Sequence, residues 1–544
     1  MLSRVPASLF WSALWALLLG TALLMRPPLP MDETRYLAVA WDMWLSDNYL
    51  VPHLNGETYS HKPPLLFWLM NLGWGVFGVH DWWPRLVAPL FGLGCLFLTR
   101  RLARELWPSA DRVHDLAPLV LLGCGFWTLF TTLTMFDTIL AFCTLLGLIG
   151  IVSAWRRGGI AGFIILGLAI GLGALTKGPA ILLHLLPIAL SAPYWAGKLA
   201  GAPSAPLYGW GRWYLGVFAA LFIGVAIGLV WAIPAGIAGG EEYRNAIFWG
   251  QTAGRMVKSF AHQREWWWYL AVMPGLIVPW LVWPPLWRSL RHLKSADWLD
   301  GGLRFCLIWF GFAFIVFSLI SGKQLHYLLP EFPALVLVMT YSLLRLPWAE
   351  GKKLDQMVPG LLIIIIGAAL CAAPYAPLSR KPEWLPLVEN GWGLAVIAIG
   401  LWISFVRSTT PELAVRRLML APVIIVLAVH LAARPVLSSV YDLEPLALQL
   451  KDWEDQGIPL ANFGKYHGQF NFLGRLTKPV VPIGHKPGQQ EAFLTSSSNG
   501  RIVAYYRNVP DHATPVKTYK FRQNTVVIWE ARDLIADPHL GDKR

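Results

Sequence analysis

The sequence predicts an α-helical polytopic membrane protein with outer-loop interfacial helices and a small C-terminal α/β domain. The chain is 56% hydrophobic and has a mean hydropathy of +0.49, which is too apolar for a soluble protein. Apolar runs that are about as long as a bilayer core recur along it and predict about thirteen transmembrane helices. After residue 435 the pattern changes to a helical stretch at 443–456 and short β-type runs at 479–483, 502–506 and 525–530, separated by Gly, Pro and Asn, which is typical of a small α/β domain.

The first two spans are separated by a long polar segment. The first, residues 8–25, follows Arg4 and has no small-residue cleavage site after it, so we expect an uncleaved signal anchor. The second is predicted at residues 86–98; because this run is short for a crossing, a start nearer Trp82 is the alternative. Further spans are predicted near residues 116–134, 137–154, 160–176, 179–196, 214–234, 268–286, 303–320, 327–346, 358–375, 391–406 and 417–433.

Basic residues occupy alternate short loops, for example at Arg100 and Arg156. Because cytoplasmic loops are enriched in Lys and Arg, this pattern predicts a cytoplasmic amino terminus and, with an odd number of spans, an outward-facing C-terminal domain. The predicted domains are residues 1–434, with a first outer loop at 26–85, and residues 435–544. The net charge of +13 is spread over these loops and forms no tract, so we expect no nucleic-acid partner.

The first outer loop opens with a dense group of polar residues, Asp32, Glu33, Arg35 and Tyr36. Charge at the end of a membrane helix commonly does no more than solvate the chain. Here an amphipathic stretch at 36–45 follows, and a helix lying in the interface would hold the charged group in place; the apolar stretch at 64–79 predicts a second interfacial or re-entrant helix. Asp32 and Glu33 are therefore candidates for proton abstraction or metal binding.

Several basic residues are predicted to face one outer cavity. Lys62 precedes Pro63 and Pro64, whose fixed φ angles stiffen the backbone and hold the lysine in place. Snorkelling explains most lysines at the ends of spans, but a phosphate-bearing ligand would explain all of these residues together. They are Lys62, Lys177, Arg255, Lys258, Arg264 and Lys323.

Three further residues are candidates for the same face. Asp137 begins an outward helix end, where a helix-capping role and a functional role are equally compatible with its position. His61 and His262 are candidate ligands of a divalent metal such as zinc, magnesium or manganese, although a lone loop histidine is usually not a ligand. The sequence has no Walker A loop, GxGxxG fingerprint or HExxH motif, so no nucleotide cofactor is expected.

Four motifs give the chain a resemblance to the C-type (GT-C) superfamily of membrane glycosyltransferases. They are Asp-Glu-Thr-Arg-Tyr at 32–36, Tyr-Ser-His-Lys-Pro-Pro at 59–64, Thr-Lys-Gly-Pro at 176–179, and the segment 318–330, in which Ser-Gly-Lys leads to Tyr-Leu-Leu-Pro. Within the superfamily, the chain resembles the protein-mannosyltransferase-like group and its bacterial lipid A aminoarabinose transferases. The resemblance covers residues 5–433, and the order of the motifs is specific.

The resemblance implies the GT-C fold and transfer of a sugar from undecaprenyl phosphate to a cell-envelope acceptor, with inversion at the anomeric carbon. It implies a multi-pass protein of the bacterial inner membrane whose active site and C-terminal domain face the periplasm. The implied sugar is 4-amino-4-deoxy-L-arabinose, and the implied acceptor is a lipid A phosphate. The predicted catalytic residues are Asp32, Asp137 and Lys62; the donor phosphate-binding residues are Lys62, Arg264, Arg35 and Lys323; the substrate-binding residues are Tyr36, Tyr59, Tyr327 and Glu33.

One position departs from the family motif, which usually reads Glu-Lys-Pro-Pro where this chain has His61 before Lys62. If the family glutamate binds a metal, the histidine either keeps that site with altered affinity or abolishes it. The metal prediction therefore stays open at this stage.

Other functions compete with this interpretation. A protein O-mannosyltransferase or another envelope polysaccharide glycosyltransferase would use the same catalytic groups on a different acceptor. A transporter or lipid flippase would place charge near the bilayer midplane and broken helices in paired halves, whereas the polar residues of this chain concentrate on one rim. A non-catalytic scaffold that presents residues 441–544 would not need Lys62 or Asp32.

Overall fold

The structure is a computed structural model that describes residues 6–207, 209–250, 263–295, 297–348, 352–377, 381–484 and 488–541. Within these ranges the chain is a largely helical multi-span protein with a small C-terminal sheet, which confirms the predicted fold class. Eight helical segments in the described ranges are long and apolar enough to cross a membrane, or nine if one pair bent by 49° is a single span. The predicted number of about thirteen spans is not confirmed.

The spans differ in how far neighbouring helices enclose them. Phe136–Arg157 and Leu325–Arg345 are 83% buried along their apolar windows, whereas Gly209–Ala238 is 17% buried. A long apolar helix that is exposed along its length is suited to face lipid. The other segments are Ala7–Met25, Trp82–Leu106, Gly301–Leu319, Lys353–Tyr375 and Pro411–Asp455, with the bent pair Ala180–Leu190 and Ala192–Lys198 and the shorter apolar helices Leu65–Phe77, Ala161–Lys177 and Asn390–Phe405.

Two predicted spans, at 116–134 and 268–286, are broken in the middle. The two breaks face each other. The N–H of Gly125 donates to the carbonyl of Val278, and the Trp280 indole donates to the carbonyl of Val120, just before the first break, both at 3.0 Å. Backbone groups that leave the helical pattern are thus satisfied inside the protein, as a membrane interior requires. The pieces are Asp111–Leu122 and Gly125–Phe130 in the first span, and Trp268–Leu276, the 3₁₀ turn Trp280–Val282 and Pro284–His292 in the second.

The helix Phe136–Arg157 lies at the centre of the bundle and separates two groups of charged residues. Its 22 residues span about 33 Å, which is enough to cross a bilayer core. Asp137 lies at one end, which we call the outer end. At the other end, Arg156 and Arg157 donate to the backbone and side chain of Glu105.

Two helices of the first outer loop occupy the positions predicted for interfacial helices. Glu33–Ser46 and Leu65–Phe77 are joined through a hairpin of the strands β1 (His53–Leu54) and β2 (Glu57–Thr58). The Asn71 side chain of the second helix donates to the Ala40 carbonyl of the first at 3.1 Å. The two helices therefore form one packed unit at the outer end.

Glu33 fixes this unit against the central helix. Its side chain is 2% exposed and forms an ion pair with Arg26. Its two oxygens also accept hydrogen bonds from the backbone N–H groups of Leu29 and Thr134, each at 2.8 Å. Because Thr134 precedes the central helix, one carboxylate joins the end of the first span, the first interfacial helix and the start of the central helix.

The ion pair keeps Glu33 charged. Burial alone raises the pKa of Glu33, but the nearby Arg26 guanidinium and its hydrogen bonds outweigh that effect and lower the pKa from 4.5 to about 2. The carboxylate is therefore ionised at neutral pH, when it can accept all of its hydrogen bonds.

The C-terminal region forms a five-stranded mixed sheet behind the last membrane helix. That helix, Leu420–Val440, continues past the domain boundary predicted at 434, and the helix Glu444–Asp455 leads into the sheet. In spatial order the strands are β4 (Val481–Ile483), β3 (Leu460–Phe463), β5 (Arg501–Tyr506), β7 (Asn524–Glu530) and β6 (Lys517–Phe521), with the helices Gln489–Ser496 and Ala531–Ala536 beside them. Strand β3 pairs in parallel with both of its neighbours, and the other pairings of this sheet are antiparallel.

The C-terminal region docks directly on the first outer loop. The side chain of Asn55, in the β1–β2 turn, donates to the Val480 carbonyl and accepts from the Val480 N–H, each at 2.8 Å. The Trp41 indole donates to the Leu476 carbonyl at 2.9 Å. The first interfacial helix is therefore held between the membrane helices on one side and the C-terminal region on the other.

We predict that Glu33→Gln lowers the stability of the fold by about 3–5 kcal/mol, because it leaves Arg26 buried without a counter-charge. Since the pKa of Glu33 is lower in the folded state, its contribution is present above about pH 4.5 and is lost as the pH falls toward about 2. The thermal midpoint of the purified protein, measured from neutral to acidic pH, should therefore fall more steeply in the wild type than in Glu33→Gln.

Asp32→Asn is the matched control for this prediction. The Asp32 side chain is 56% exposed, so its loss should change stability by less than about 1 kcal/mol. Equal destabilisation by the two substitutions would contradict the role that we assign to Glu33.

Candidate active site

The carboxylate of Asp137 is the centre of a buried polar cluster at the outer end. Its side chain is 2% exposed, and its Oδ1 atom accepts a hydrogen bond from the Lys177 ammonium. Its Oδ2 atom lies 3.8 Å from Nε2 of His326. Lys177 is the last residue of the helix Ala161–Lys177, so two neighbouring helices bring these opposite charges together.

A second lysine, Lys62, approaches Asp137 from the first outer loop and interacts with it electrostatically. The Lys62 Nζ atom lies 5.4 Å from the centroid of the Phe136 ring, whereas the Lys177 Nζ atom lies 4.4 Å from the centroid of Tyr327. Both lysines are thus positioned by aromatic faces, which attract cations. The cluster formed by Lys62, Asp137, Lys177, His326 and Tyr327 is called the lysine cluster below.

Aromatic rings close the lysine cluster on the side of the first interfacial helix. Tyr36 is 3% exposed, and its ring meets Phe136 edge-on at 4.9 Å. Phe67 meets Phe136 at 5.5 Å and Tyr59 at 6.2 Å. The structure therefore brings Tyr36 and Tyr59, which were predicted to bind substrate, to one aromatic wall of the cluster, and it places Tyr327, predicted for the same role, beside Lys177.

Asp32 and Arg35 form a separate and more open pair. The Arg35 guanidinium donates to Asp32 and lies 5.7 Å from the centroid of the Tyr36 ring. The Arg35 side chain is 23% exposed and that of Asp32 is 56% exposed. The Tyr36 ring contacts both Arg35 and Phe136, so it lies between this pair and the lysine cluster.

Glu33 and Lys323 make contacts that differ from the predicted ones. Glu33 was predicted to bind substrate, but both of its oxygens accept hydrogen bonds from the protein, as described above. Lys323 was predicted to bind the donor phosphate, but it is 3% exposed, and its ammonium donates to the carbonyls of Ile320 and Arg264 at 2.6 and 2.9 Å. The physical reason is the same at both sites, because a buried charge must be paired or hydrogen-bonded.

Arg264 lies on the loop that Lys323 anchors. Its backbone N–H donates to the Ser321 carbonyl at 3.1 Å, and its guanidinium lies 5.8 Å from the centroid of a Trp268 ring. Its exposed position leaves it suited to bind an anion, and its predicted role in binding the donor phosphate stays a prediction. Arg255 and Lys258, which were predicted to face the same cavity, lie outside the described residues.

The predicted metal ligands are seen only in part. His61 is exposed, and its ring meets Tyr59 edge-on at 5.3 Å; His262 lies outside the described residues. In the ranges that the structure covers, no group of three or more His, Cys, Asp and Glu side chains is arranged to hold a metal ion. The metal site stays a prediction.

Two polar features of this region were not predicted from the sequence. His326, next to Tyr327, faces Asp137. Farther into the bundle, Nδ1 of His184 lies 2.5 Å from Oε1 of Glu331, and both side chains are at most 1% exposed. A search for ionisable residues inside or beside apolar spans would have found His184, His326 and Glu331, because such residues are rare in membrane helices and need a partner.

Comparisons with known proteins agree with the motifs. The family model described as dolichyl-phosphate-mannose-protein mannosyltransferase matches residues 61–231. This segment includes Lys62, Asp137 and Lys177, three members of the lysine cluster.

Two curated relatives are undecaprenyl phosphate-α-4-amino-4-deoxy-L-arabinose arabinosyl transferases. The one from Pseudomonas aeruginosa strain UCBPP-PA14 is 31% identical over 384 residues, and the one from Edwardsiella ictaluri is 29% identical over 396 residues. Each alignment covers 69% of this chain and 66% of the relative. The chain therefore matches slightly less than two thirds of the length of these relatives.

Two solved structures share the fold along nearly the whole chain. Both are of ArnT from Cupriavidus metallidurans and are 20% identical to this chain. The structure bound to undecaprenyl phosphate has a TM-score of 0.71 and covers 96% of this chain and 97% of its own. The apo structure has a TM-score of 0.73 and covers 97% of this chain and 99% of its own.

The fold likeness extends through the C-terminal sheet, and the sequence likeness covers most of the membrane part. The resemblance that the motifs predicted is thus confirmed: the chain is similar in sequence to bacterial aminoarabinose transferases and to the protein-mannosyltransferase family model, and it is similar in fold to ArnT.

Proposed function

We propose that the chain transfers 4-amino-4-deoxy-L-arabinose from undecaprenyl phosphate to a phosphate group of lipid A, with inversion at the anomeric carbon. The observation that carries this proposal is the lysine cluster, in which two lysines flank one buried carboxylate at the outer end. The transferase activity for which these relatives are named and the undecaprenyl phosphate bound to the related ArnT support the identity of the donor and sugar.

The lysine cluster is suited to an anionic ligand. Lys62 and Lys177 both interact with the single carboxylate of Asp137, and lysine ammonium groups form charge-assisted hydrogen bonds with phosphate. The phosphodiester of the donor carries one negative charge and fits such a site.

The same lysines would act on the transition state of the transfer. As the bond between the sugar and the phosphate breaks, negative charge grows on the departing undecaprenyl phosphate. Preorganised cations are most effective where such charge develops in a site that excludes water, and one well-placed donor is worth roughly 3–4 kcal/mol. We assign this role to Lys62 and Lys177, with Arg264 as an additional phosphate contact from the neighbouring loop.

A lipid A phosphate needs no strong general base, because it is already an anion and a nucleophile. Asp32 would then orient the acceptor together with Arg35, which pairs with it. A hydroxyl acceptor on a protein or polysaccharide would instead need Asp32 or Asp137 as a base. The acceptor therefore decides which carboxylate takes part in proton transfer.

We also propose that the outer end faces the periplasm. The basic groups at the opposite end of the central helix include Arg156 and Arg157, and cytoplasmic ends of membrane helices are enriched in such residues. With this orientation the lysine cluster and the C-terminal region face the periplasm. Transfer there needs no nucleotide, because the sugar is already activated by its bond to undecaprenyl phosphate.

The proposal is tested by mass spectrometry of lipid A from cells that lack the gene and from cells in which Lys62→Ala replaces it. Both strains should lose the lipid A species that carry an added aminopentose, and the wild-type gene should restore them. Unchanged lipid A with loss of a sugar from a protein or another envelope polymer would contradict the acceptor and favour the O-mannosyltransferase alternative. Unchanged glycans in all fractions would contradict a transferase.

Lys177→Met should lower the turnover number by about 100-fold or more, because it removes a cation that is placed to stabilise developing charge. Lys198→Met is the matched control, since Lys198 is exposed in the turn Ala196–Lys198 at the opposite end of the bundle. Steady-state rates of the two purified variants, with thermal midpoints measured alongside, give the comparison. Wild-type turnover in folded Lys177→Met would refute the role of this lysine.

The predicted divalent metal is a separate proposal that rests on His61 and His262. If these histidines hold zinc, the purified protein should contain about one zinc ion per chain, and His61→Ala should lose most of it, since imidazole is a preferred zinc ligand. Elemental analysis measures the content directly. Equal zinc content in the wild type and His61→Ala would remove His61 from the metal site.

A further inference from the structure

A face of the first interfacial helix continues from the active site toward the C-terminal region. Asp32, Arg35 and Ala38 are spaced by three residues and therefore lie along one side of the chain at the start of this helix. Gly468, from the C-terminal region, packs against Ala38 so closely that an added Cβ atom would lie 3.0 Å from the Ala38 Cβ and 2.5 Å from a methyl carbon of Leu54. The loop 464–470, which we call the cover loop, is thus seated beside Arg35.

The cover loop is held in one conformation by its own hydrogen bonds. The Gln469 side chain accepts from the His467 N–H at 3.0 Å and donates to the hydroxyl of Tyr505 at 2.9 Å. At the start of the loop, the Gly464 N–H donates to the Ile483 carbonyl at 2.7 Å. Gly468 has a φ angle of +71°, which a residue with a side chain would adopt only under strain. These hydrogen bonds and the glycine at position 468 therefore give the cover loop a defined conformation.

The cover loop brings two further basic side chains to the Asp32–Arg35 pair. His467 is half-buried, and burial, the Arg35 guanidinium and the Lys465 ammonium all lower its pKa, while Asp32 opposes them. His467 therefore lies within electrostatic range of all three charged residues. Lys465 is exposed on the same loop, and the packing of Gly468 on Ala38 places this loop near the Asp32–Arg35 pair.

We propose that Arg35, Lys465 and His467 form a second phosphate-binding subsite, which holds a phosphate group of the acceptor. This inference rests on the proposed transfer to lipid A, and it names the part of the protein that recognises the acceptor. A guanidinium and an ammonium that converge from two segments are suited to a phosphate group, because charge-assisted hydrogen bonds to phosphate are short and strong. The imidazole of His467 adds an N–H donor at neutral pH.

The position of this subsite favours the acceptor over the donor as the source of the phosphate. The donor phosphate has a place in the lysine cluster, where Lys62 and Lys177 flank Asp137. The subsite instead lies where the interfacial helix meets the C-terminal region, outside the spans, at the level expected for lipid headgroups. An acceptor phosphate held there would lie next to Asp32, on the open side of the aromatic wall.

The test is equilibrium binding to the full-length protein in lipid nanodiscs, with bisphosphorylated lipid A and undecaprenyl phosphate as separate probes. Lys465→Ala combined with His467→Gln should weaken binding of bisphosphorylated lipid A by about tenfold or more, since a single hydrogen bond to a charged group accounts for such a change. Binding of undecaprenyl phosphate should change by less than about twofold. Dephosphorylated lipid A should bind the wild type as weakly as it binds the double variant.

Two controls separate recognition from folding. Lys517→Ala removes an exposed lysine of β6 whose ammonium bonds Gln449, and it should leave both affinities unchanged. Lys465→Arg keeps the charge and should retain most of the affinity for lipid A. Because Lys465 is exposed, Lys465→Ala alone should keep the wild-type thermal midpoint and still weaken lipid A binding.

The possible outcomes distinguish this inference from the proposed function. Wild-type affinity for bisphosphorylated lipid A in the double variant would overturn the subsite, even if the wild type transfers sugar. Weakened binding of undecaprenyl phosphate alone would assign these residues to the donor and would also overturn it. Weakened lipid A binding in the variant, combined with no sugar transfer by the wild type, would leave the subsite in place and reject the proposed function.

Discussion

The ion pair between Glu33 and Arg26 is the interaction on which the outer end of the protein depends. One buried carboxylate ties the end of the first span to the first interfacial helix and, through the N–H of Thr134, to the start of the central helix. Asp32, Arg35 and Tyr36 lie at the start of the first interfacial helix, and Asp137 lies at the start of the central helix. Because the pair is buried, it is rigid only while both charges are present.

The lysine cluster is a second buried arrangement of charge, but its contacts are different. Both oxygens of Glu33 accept hydrogen bonds from Arg26 or the backbone, whereas Asp137 interacts with two lysines, Lys177 and Lys62, from different elements. The first arrangement stabilises the fold, and we assign the second to ligand binding.

Much of the fold was predictable because its signals are local. The first span, the two interfacial helices and three of the C-terminal strands follow from apolar periodicity over short windows. The breaks at Gly125 and Val278 were not predictable in this way, because each is stabilised by the other across the bundle. The strands β3 and β6 were also missed, since they gain their stability from pairing with β5 and β7 rather than from their own sequence.

The residues of the candidate site show the same limit. The motifs located Asp32, Lys62, Asp137 and Tyr327, but the sequence could not distinguish a charge that binds ligand from one that holds a loop. Lys323 and Glu33 resemble site residues until their hydrogen-bond partners are known. The roles of His326 and of the cover loop depend on contacts between segments far apart in the chain, which no local pattern reports.

The most direct test of the account is whether the purified protein in lipid vesicles releases undecaprenyl phosphate from undecaprenyl phosphate-linked 4-amino-4-deoxy-L-arabinose. The account predicts release that requires lipid A, proceeds without added nucleotide and yields one sugar-modified lipid A for each undecaprenyl phosphate. Absence of release in the presence of both substrates, or release that requires a nucleotide, would contradict it.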